Sequence, residues 1–483
     1  MSLLFQICCI YKKIYHIMVM FLFSLYYKNK KETVPRTSNK ILEESALSLA
    51  RQIKSKKLNS TAVVEAFIER IKLVNPIINA MVDQRFNEAL DEAKEIDEKL
   101  KLNIYTPKEL EDLIYLGVPF TTKESVLCKD LSATFGLIAR KGIKADKDAD
   151  VIALMKSSGA ILLGVCNVPE INMWMETYNK VYGRTKNPYD TTRNVGGSTG
   201  GDAALLAALG TPISIGTDLA GSIRAPAFRC GIFGHKPSND VISTKGLTFR
   251  SGNEGPTLVT SGPMAKKSED LLPMLKIITK NDFRLKLNQE IDVTKIKIFY
   301  STSIECFKNG PIGNDCLKAV EKAAKYFDGY SVKKPEKIRF NGLNNGPDLW
   351  FYSKVKENWR YEEEIKNNLE KTNFKREFKK YLVGKCDHSL YTLYVLLRLA
   401  TYKPYNEEIM EKLIQDAREE IIELLGDDGV LILPSEPYPA KYHNTMILEP
   451  LFRLGLITKG FLLGFKSLVD ALMIGCVLLW LVS

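Results

Sequence analysis

Residues 195–224 read VGGSTGGDAALLAALGTPISIGTDLAGSIR, and this stretch decides the fold. A glycine-rich turn at Ser198 leads into the helix-forming residues 202–210, and the apolar run 212–215 leads into a second glycine turn at Ser222. Helices that alternate with short apolar strands are typical of α/β proteins, in which helices cover both faces of a sheet. The stretch therefore predicts a helix and a buried strand, with one serine turn before the helix and another after the strand.

The same alternation continues in both directions along the chain. Further short apolar runs occupy residues 115–122, 160–167, 295–301 and 429–435. Helical stretches lie between them at 151–159 and 317–327. We therefore predict an α/β fold with a mixed, twisted central sheet that helices cover on both faces.

Residues 42–100 are predicted to be helical. Apolar residues recur there at helical spacing, at Val64, Phe67, Ile68 and Ile71. Ser60 is a suitable N-cap for this helix, and Asn75-Pro76 is predicted to close it.

Composition excludes several classes of function. Lys plus Arg exceeds Asp plus Glu by 68 − 57 = 11, but the charges are mixed in sign, as in residues 354–380, so we predict a solvated face and no nucleic-acid site. Nine cysteines without a CxxC pair indicate reduced thiols rather than zinc ligands or disulfides. Four histidines, none in HExxH, argue against a histidine-rich metal site.

The N-terminal segment is apolar but interrupted. Lys12 and Lys13 leave only residues 17–27 unbroken, a helix of about 16 Å against a hydrocarbon layer of about 30 Å. Lysines at 28, 30 and 31 follow it, and no small-residue cleavage site is present. We predict that residues 1–31 form a membrane anchor, either single-pass or interfacial, rather than a cleaved signal peptide.

Lys123, Ser198 and Ser222 are the candidate catalytic residues. Lys123 ends the apolar run in PFTTKE, where burial lowers a lysine pKa and allows the neutral amine to accept a proton, although most lysines are surface charges. Ser222 lies on a turn whose small residues 220 and 221 expose backbone N–H groups suited to an oxyanion. This combination indicates a serine hydrolase that uses lysine instead of histidine.

A nucleophile elbow is the rival interpretation of the first turn. Residues 196–200 satisfy G-x-S-x-G, but that motif requires an apolar strand directly before the serine, and KNPYDTTRN precedes it here. The histidines available as a base, His235, His388 and His443, have no recognisable setting. In the second turn, Asp218 and Arg224 are expected to form a structural ion pair.

Six motifs lie along about residues 42–440: GVPFTTKE, KVYGRTKNPYD, GGSTGGDAALLA, GTDLAGSIRAPAF, GIFGHKPS and LGDDGVLILPS. Together they resemble the amidase signature family. KVYGRTKNPYD and GIFGHKPS favour the branch that acts on fatty-acid amides. The resemblance implies Ser222 as nucleophile, Ser198 as bridging serine and Lys123 as terminal base.

The resemblance also implies supporting roles and a substrate class. The N–H groups of Leu219, Ala220, Gly221 and Ser222 would form the oxyanion hole. Thr199, Asp218 and Arg224 would support the site, and Met173, Trp174 and Met175 are acyl-channel candidates, with core packing as the alternative. The implied reaction converts fatty-acid primary amides or N-acyl amines to fatty acid and amine or ammonia, without metal or cofactor. We expect a fatty-acid amide and a membrane surface as partners, and we allow for a homodimer.

The resemblance fails after residue 445. Within the predicted catalytic domain, 32–445, Thr199 replaces a usual serine and Ala220 a frequent glycine, both mild changes. Residues 446–483 form an atypical hydrophobic tail in place of the family's last strand and helix, so we expect a fold that is incomplete at the C-terminus. Two alternatives therefore stay open: a catalytically impaired, truncated protein that binds lipids, and an amidase for a small polar amide, including a glutamine-dependent transamidation subunit.

Overall fold

The computed structural model describes residues 3–248, 250–253, 257–302, 312–331, 333–340, 342, 345–356, 374–400 and 406–445. The predicted tail, 446–483, lies outside the described residues. In chain order the helices are α1 (Leu3–Tyr27), α2 (Ala46–Lys54), α3 (Ser60–Ile78), α4 (Phe86–Lys101), α5 (Pro107–Asp112), α6 (Asp150–Ser157), α7 (Gly200–Ala207), α8 (Arg224–Cys230), α9 (Leu271–Ile278), α10 (Asn314–Asp328), α11 (Gly346–Lys356), α12 (Phe374–Leu382), α13 (Leu390–Ala400) and α14 (Glu407–Leu425). The strands are β1 (Met81–Gln84), β2 (Pro119–Lys123), β3 (Ile161–Cys166), β4 (Tyr178–Asn179), β5 (Gly183–Arg184), β6 (Ile213–Asp218), β7 (Phe233–Gly234), β8 (Thr260–Ala265), β9 (Lys297–Tyr300), β10 (Glu336–Lys337) and β11 (Gly429–Ile432).

The main sheet is mixed, as predicted. Its strand order is β1-β3-β2-β6-β8-β7, and β3, β2 and β6 run parallel at its centre while the outer pairs are antiparallel. A smaller parallel sheet has the order β10-β9-β11, and β4 pairs with β5. The five apolar runs predicted as strands overlap β2, β3, β6, β9 and β11, which confirms the α/β prediction.

Burial extends along the whole length of the central strands, and it includes their polar residues. Every residue of β2, β3, β6 and β8 is buried. Helix α7 packs on β2 and β6, α4 packs on β3, and α9 packs on β8. Parallel strands covered in this way expose neither face to water, so their sequences do not alternate between apolar and polar residues.

The boundaries predicted for α3 are wrong at both ends. Ser60 is the first helical residue instead of the N-cap, because the Asp97 carboxylate accepts hydrogen bonds from the N–H groups of Ser60 (2.7 Å) and Thr61 (2.9 Å). The helix also continues through Pro76 to Ile78 and ends at Asn79 in a left-handed conformation. A proline in the last turn removes one hydrogen bond, and the packed helix tolerates that loss.

Helix α1 has two different sides. Val19 and Phe23 are buried against a cluster that includes Tyr391, and Tyr27 stacks on Tyr442 at 5.5 Å between ring centroids. The opposite side is exposed and apolar, formed by Ile14, Ile17, Met18, Phe21, Leu22 and Leu25. In the described part of the chain, no helix combines the length and the apolar character needed to cross a membrane.

Candidate active site

The candidate site lies where two neighbouring strands end. Strands β2 and β6 are parallel, with Thr122 opposite Ile215, so their carboxyl ends meet at one edge of the sheet. Lys123 is the last residue of β2, and the turn of residues 219–222 follows β6 directly. Strand pairing therefore brings together Lys123 and a turn that lies about a hundred residues later in the chain.

Lys123 is fully buried and bonded to two hydroxyl groups. Its Nζ donates to Ser198 Oγ at 2.7 Å and to Thr217 Oγ1 at 2.8 Å. Burial lowers the pKa of Lys123 to about 7, against the opposing effect of the Asp202 and Asp218 carboxylates. Near neutral pH a large fraction of this amine is therefore neutral and able to accept a proton.

The Ser198 turn is packed too closely for side chains at its glycines. Gly196 has a φ of +83°, and a Cβ on Gly197 would lie 2.3 Å from the carbonyl oxygen of Trp174. The peptide bond between Gly197 and Ser198 is cis. The Thr199 N–H donates to the carbonyl oxygen of Ser222 at 3.1 Å, so the two serine turns lie side by side.

Asp218 organises the Ser222 turn. Its carboxylate accepts the N–H groups of Gly221 (2.7 Å) and Ile223 (3.0 Å), and Arg224 binds both carboxylate oxygens at 2.9 and 3.0 Å. Burial opposes ionisation, but Arg224 and the backbone donors outweigh it and hold the pKa of Asp218 below its usual value. Asp218 is thus an anionic clamp, and the expected pair with Arg224 is present.

The structure brings the predicted relay residues together only in part. Lys123 contacts Ser198, whereas no direct hydrogen bond joins the hydroxyls of Ser198 and Ser222 among the described residues. The N–H of Gly221, one of four expected oxyanion donors, is used by Asp218. Within the described part of the chain, the N–H groups of Ala220 and Ser222 carry no such bond, so they are available to a ligand.

Two residues near the base have no role in the sequence interpretation. Thr217 belongs to the motif around Ser222, but its contact with Lys123 is visible only in the folded structure. Asp202, in the first turn of α7, is completely buried and accepts hydrogen bonds from Thr121 Oγ1 (2.9 Å) and Ser214 Oγ (2.6 Å). Burial raises the pKa of Asp202 to about 6. A charged residue among the apolar residues of a predicted core helix is the signal that could have identified it.

None of the three histidines considered as a base contacts Ser198. His443 Nε2 lies 3.1 Å from the carbonyl oxygen of Thr191, and burial lowers its pKa to about 3. His388 Nδ1 lies 2.5 Å from Glu170 Oε1. No described strand leads directly into Ser198, so the geometry does not favour the nucleophile elbow.

The acyl-channel candidates lie beside the Ser198 turn. Trp174 contacts Gly197 through its backbone, as described above, and its ring stacks on Tyr391 of α13 at 4.5 Å. Tyr394 of the same helix meets Trp174 edge-on at 6.0 Å. Met173 is half-buried and Met175 is 46% exposed. An aromatic wall formed by Trp174, Tyr391 and Tyr394 therefore adjoins the Ser198 turn through the backbone of Trp174.

Known proteins are similar to this chain in both sequence and fold. A family model described as Amidase matches residues 62–453. Fatty-acid amide hydrolase 2-A of Danio rerio is 35% identical, over 86% of this chain and 80% of its own length, and fatty-acid amide hydrolase 2 of Homo sapiens is 33% identical, over 84% and 78%. A solved structure titled fatty acid amide hydrolase has a TM-score of 0.63 at 19% identity, covering 83% of this chain and 69% of that one. The chain therefore belongs to the amidase signature family.

Proposed function

We propose that this amidase hydrolyses fatty-acid primary amides or N-acyl amines to a fatty acid and an amine or ammonia. The observation that carries the proposal is the 2.7 Å contact between the buried Lys123 amine and Ser198, beside the Ser222 turn. The relatives named as fatty-acid amide hydrolases support the substrate class.

The proposed mechanism transfers one proton along three side chains. Neutral Lys123 accepts the proton of Ser198 as Ser198 accepts that of Ser222, and Ser222 Oγ attacks the amide carbonyl. The developing oxyanion faces the N–H groups of Ala220 and Ser222, which are free to donate to it. Lys123 then returns the proton through Ser198 to the leaving nitrogen as the C–N bond breaks. Water hydrolyses the acyl-serine and restores the enzyme.

The aromatic wall supports the proposal of a long acyl chain in the substrate. The partly buried rings of Trp174 and Tyr394 belong to the aromatic wall that adjoins the Ser198 turn through the Trp174 backbone, and apolar surfaces of this kind bind hydrocarbon chains. The buried side of α1 packs on the same cluster. An acyl chain that leaves the site along this wall would therefore run towards α1.

Helix α1 is proposed to lie in a membrane interface. Its exposed side is an apolar stripe, and Lys28, Lys30 and Lys31 follow it, an arrangement that favours anionic lipid surfaces. Replacing Phe21 and Leu25 with Glu should reduce sedimentation of the protein with anionic vesicles while leaving its folding intact. Binding equal to wild type would contradict the interfacial role. The homodimer stays a prediction.

Hydrolysis of oleamide by the purified full chain tests the proposal. Ser222→Ala should abolish hydrolysis and labelling by a fluorophosphonate probe, and Ser157→Ala, at an exposed helical serine, should leave both unchanged. Full activity of Ser222→Ala would remove Ser222 as the nucleophile. Folded wild-type protein that neither reacts with the probe nor cleaves oleamide would favour the impaired lipid binder. Cleavage of glutamine but not of oleamide would favour the small polar amide.

A further inference from the structure

A hydrogen bond from a distant helix reaches the backbone of the Ser222 turn. Trp350 of α11 donates from its indole Nε1 to the carbonyl oxygen of Leu219 at 3.2 Å. The two residues are 131 positions apart in the chain. Among the described residues, this is the hydrogen bond that connects α11 with the turn.

This hydrogen bond fixes the orientation of one peptide unit of the turn. The Leu219 carbonyl and the Ala220 N–H belong to the same planar unit, and in a trans peptide they point in opposite directions. A donor that holds the carbonyl from one side therefore aims the Ala220 N–H to the other side. It also polarises the unit, because a hydrogen bond accepted by a carbonyl strengthens the donor at the other end of the amide.

The turn is thus held at both ends. Asp218 fixes its far end through the N–H groups of Gly221 and Ile223, and Trp350 fixes its near end through the Leu219 carbonyl. Between these contacts Ala220 is exposed, and its backbone N–H is available. A rotated peptide at this position would replace an N–H donor by a carbonyl oxygen, which repels an oxyanion.

We infer that Trp350 is a positioning residue for the oxyanion site: its indole N–H orients the peptide unit whose Ala220 N–H stabilises the transition state. The inference rests on the proposed function, since it requires that the oxyanion form at the Ser222 turn. Trp350 acts through the backbone, and its contribution should therefore be smaller than the roughly 10²- to 10³-fold effect of losing an oxyanion donor outright.

Helix α11 itself offers a matched control. Tyr352 donates from its hydroxyl to Glu411 Oε1 of α14 at 2.8 Å, two residues beyond Trp350 and away from the turn. Tyr352→Phe removes one donor from the same helix, as Trp350→Phe does, but leaves the Leu219 carbonyl bonded. A general loosening of α11 would affect both variants equally.

The experiment compares affinity for two inhibitors and steady-state rates in the full chain. One inhibitor is a trifluoromethyl ketone with a fatty acyl chain. The catalytic serine attacks its carbonyl carbon, and the carbonyl oxygen becomes an oxyanion. The other is the free fatty acid. Trp350→Phe should lower kcat about tenfold, weaken the ketone about tenfold, and change KM and fatty-acid affinity by less than about twofold. Tyr352→Phe should change none of these by more than about twofold.

Further comparisons separate the role of Trp350 from the proposed function. Trp350→His keeps a ring N–H and should retain more ketone affinity than Trp350→Phe; equal losses would overturn the inference, as would equal effects of Trp350→Phe and Tyr352→Phe. If wild type is inactive, or if Ser222→Ala is fully active, the proposed function is overturned, and the inference about Trp350 is overturned with it. If wild type is active and Ser222→Ala is not, while Trp350→Phe matches wild type in kcat and ketone affinity, only the role of Trp350 fails.

Discussion

The two halves of the site differ in their access to water. At the Lys123 end, Lys123 is 0% exposed and Ser198 is 1% exposed. At the turn of residues 219–222, Ala220 is exposed and Ser222 is half-buried. Burial lowers a lysine pKa far enough for the amine to act as a base near neutral pH, whereas a nucleophile must be reached by a substrate. The shared edge of β2 and β6 satisfies both needs because it places the two halves side by side.

The strongest test of this difference is Lys123→Met. Loss of the proton acceptor should reduce kcat/KM by about 10³-fold or more, because acid–base groups contribute roughly 10²- to 10⁴-fold. The pKa of Lys123 falls from 10.5 unfolded to about 7 folded, so the unfolded chain binds more protons between these values and burial of the amine costs stability below pH 10.5. The variant should therefore also unfold at a higher temperature at pH 7, as measured by calorimetry.

Exposed Lys141 provides the control for that change. Lys141→Met should leave both activity and melting temperature close to those of wild type. Retained activity in Lys123→Met, or a lower melting temperature, would show that the buried amine is a structural group.

Ser198→Ala should have the next largest effect. It removes the hydroxyl that contacts Lys123 and leaves no link from the base to Ser222, so kcat should fall about 10²- to 10³-fold with KM changed little. Thr199→Ser, which keeps a hydroxyl one residue later, should stay within about threefold of wild type. A loss in Ser198→Ala no greater than in Thr199→Ser would remove Ser198 from the relay.

Thr217→Val tests the second hydroxyl at the base. In wild type, kcat/KM should rise with pH through about 7 as Lys123 loses its proton. Thr217 Oγ1 accepts a hydrogen bond from the ammonium and so stabilises the charged form. The valine variant should lower the maximal rate about tenfold and move this rise to lower pH. A shift to higher pH would contradict the assignment.

Asp202→Asn should have the smallest effect. The Asp202 carboxylate raises the pKa of Lys123, so its neutralisation should move the rise in kcat/KM to lower pH while the maximal rate stays within about threefold. Asparagine retains an oxygen for the hydroxyls of Thr121 and Ser214. Other titratable groups facing this region are Cys166 and Asp218. Exposed Asp146→Asn should cause no shift, and an equal shift in both variants would rule out a specific effect of Asp202.

The sequence predicts the parts of this molecule that depend on local pattern. Strand β2 and its terminal Lys123, and the glycines around Ser198, are recognisable because short apolar runs and glycine turns have few structural interpretations. The predicted start of α3 is wrong because the carboxylate that accepts its first N–H groups, that of Asp97, lies on a later helix. The contacts of Thr217 and Trp350 with the site depend on strand pairing and helix docking, and no spacing along the chain encodes them.

The absence of a side chain at Gly197 limits how such an enzyme can change its substrate. The carbonyl oxygen of Trp174 occupies the space that a Cβ on Gly197 would need, so the backbone at Trp174 and the turn that carries Ser198 are packed closely together. The side chains of Trp174 and Tyr394 are only partly buried, whereas Tyr391 is buried and its hydroxyl donates to Asn444 Oδ1. Directed evolution towards shorter or bulkier acyl groups should therefore accumulate substitutions on that aromatic wall and leave the backbone beside Gly197 unchanged.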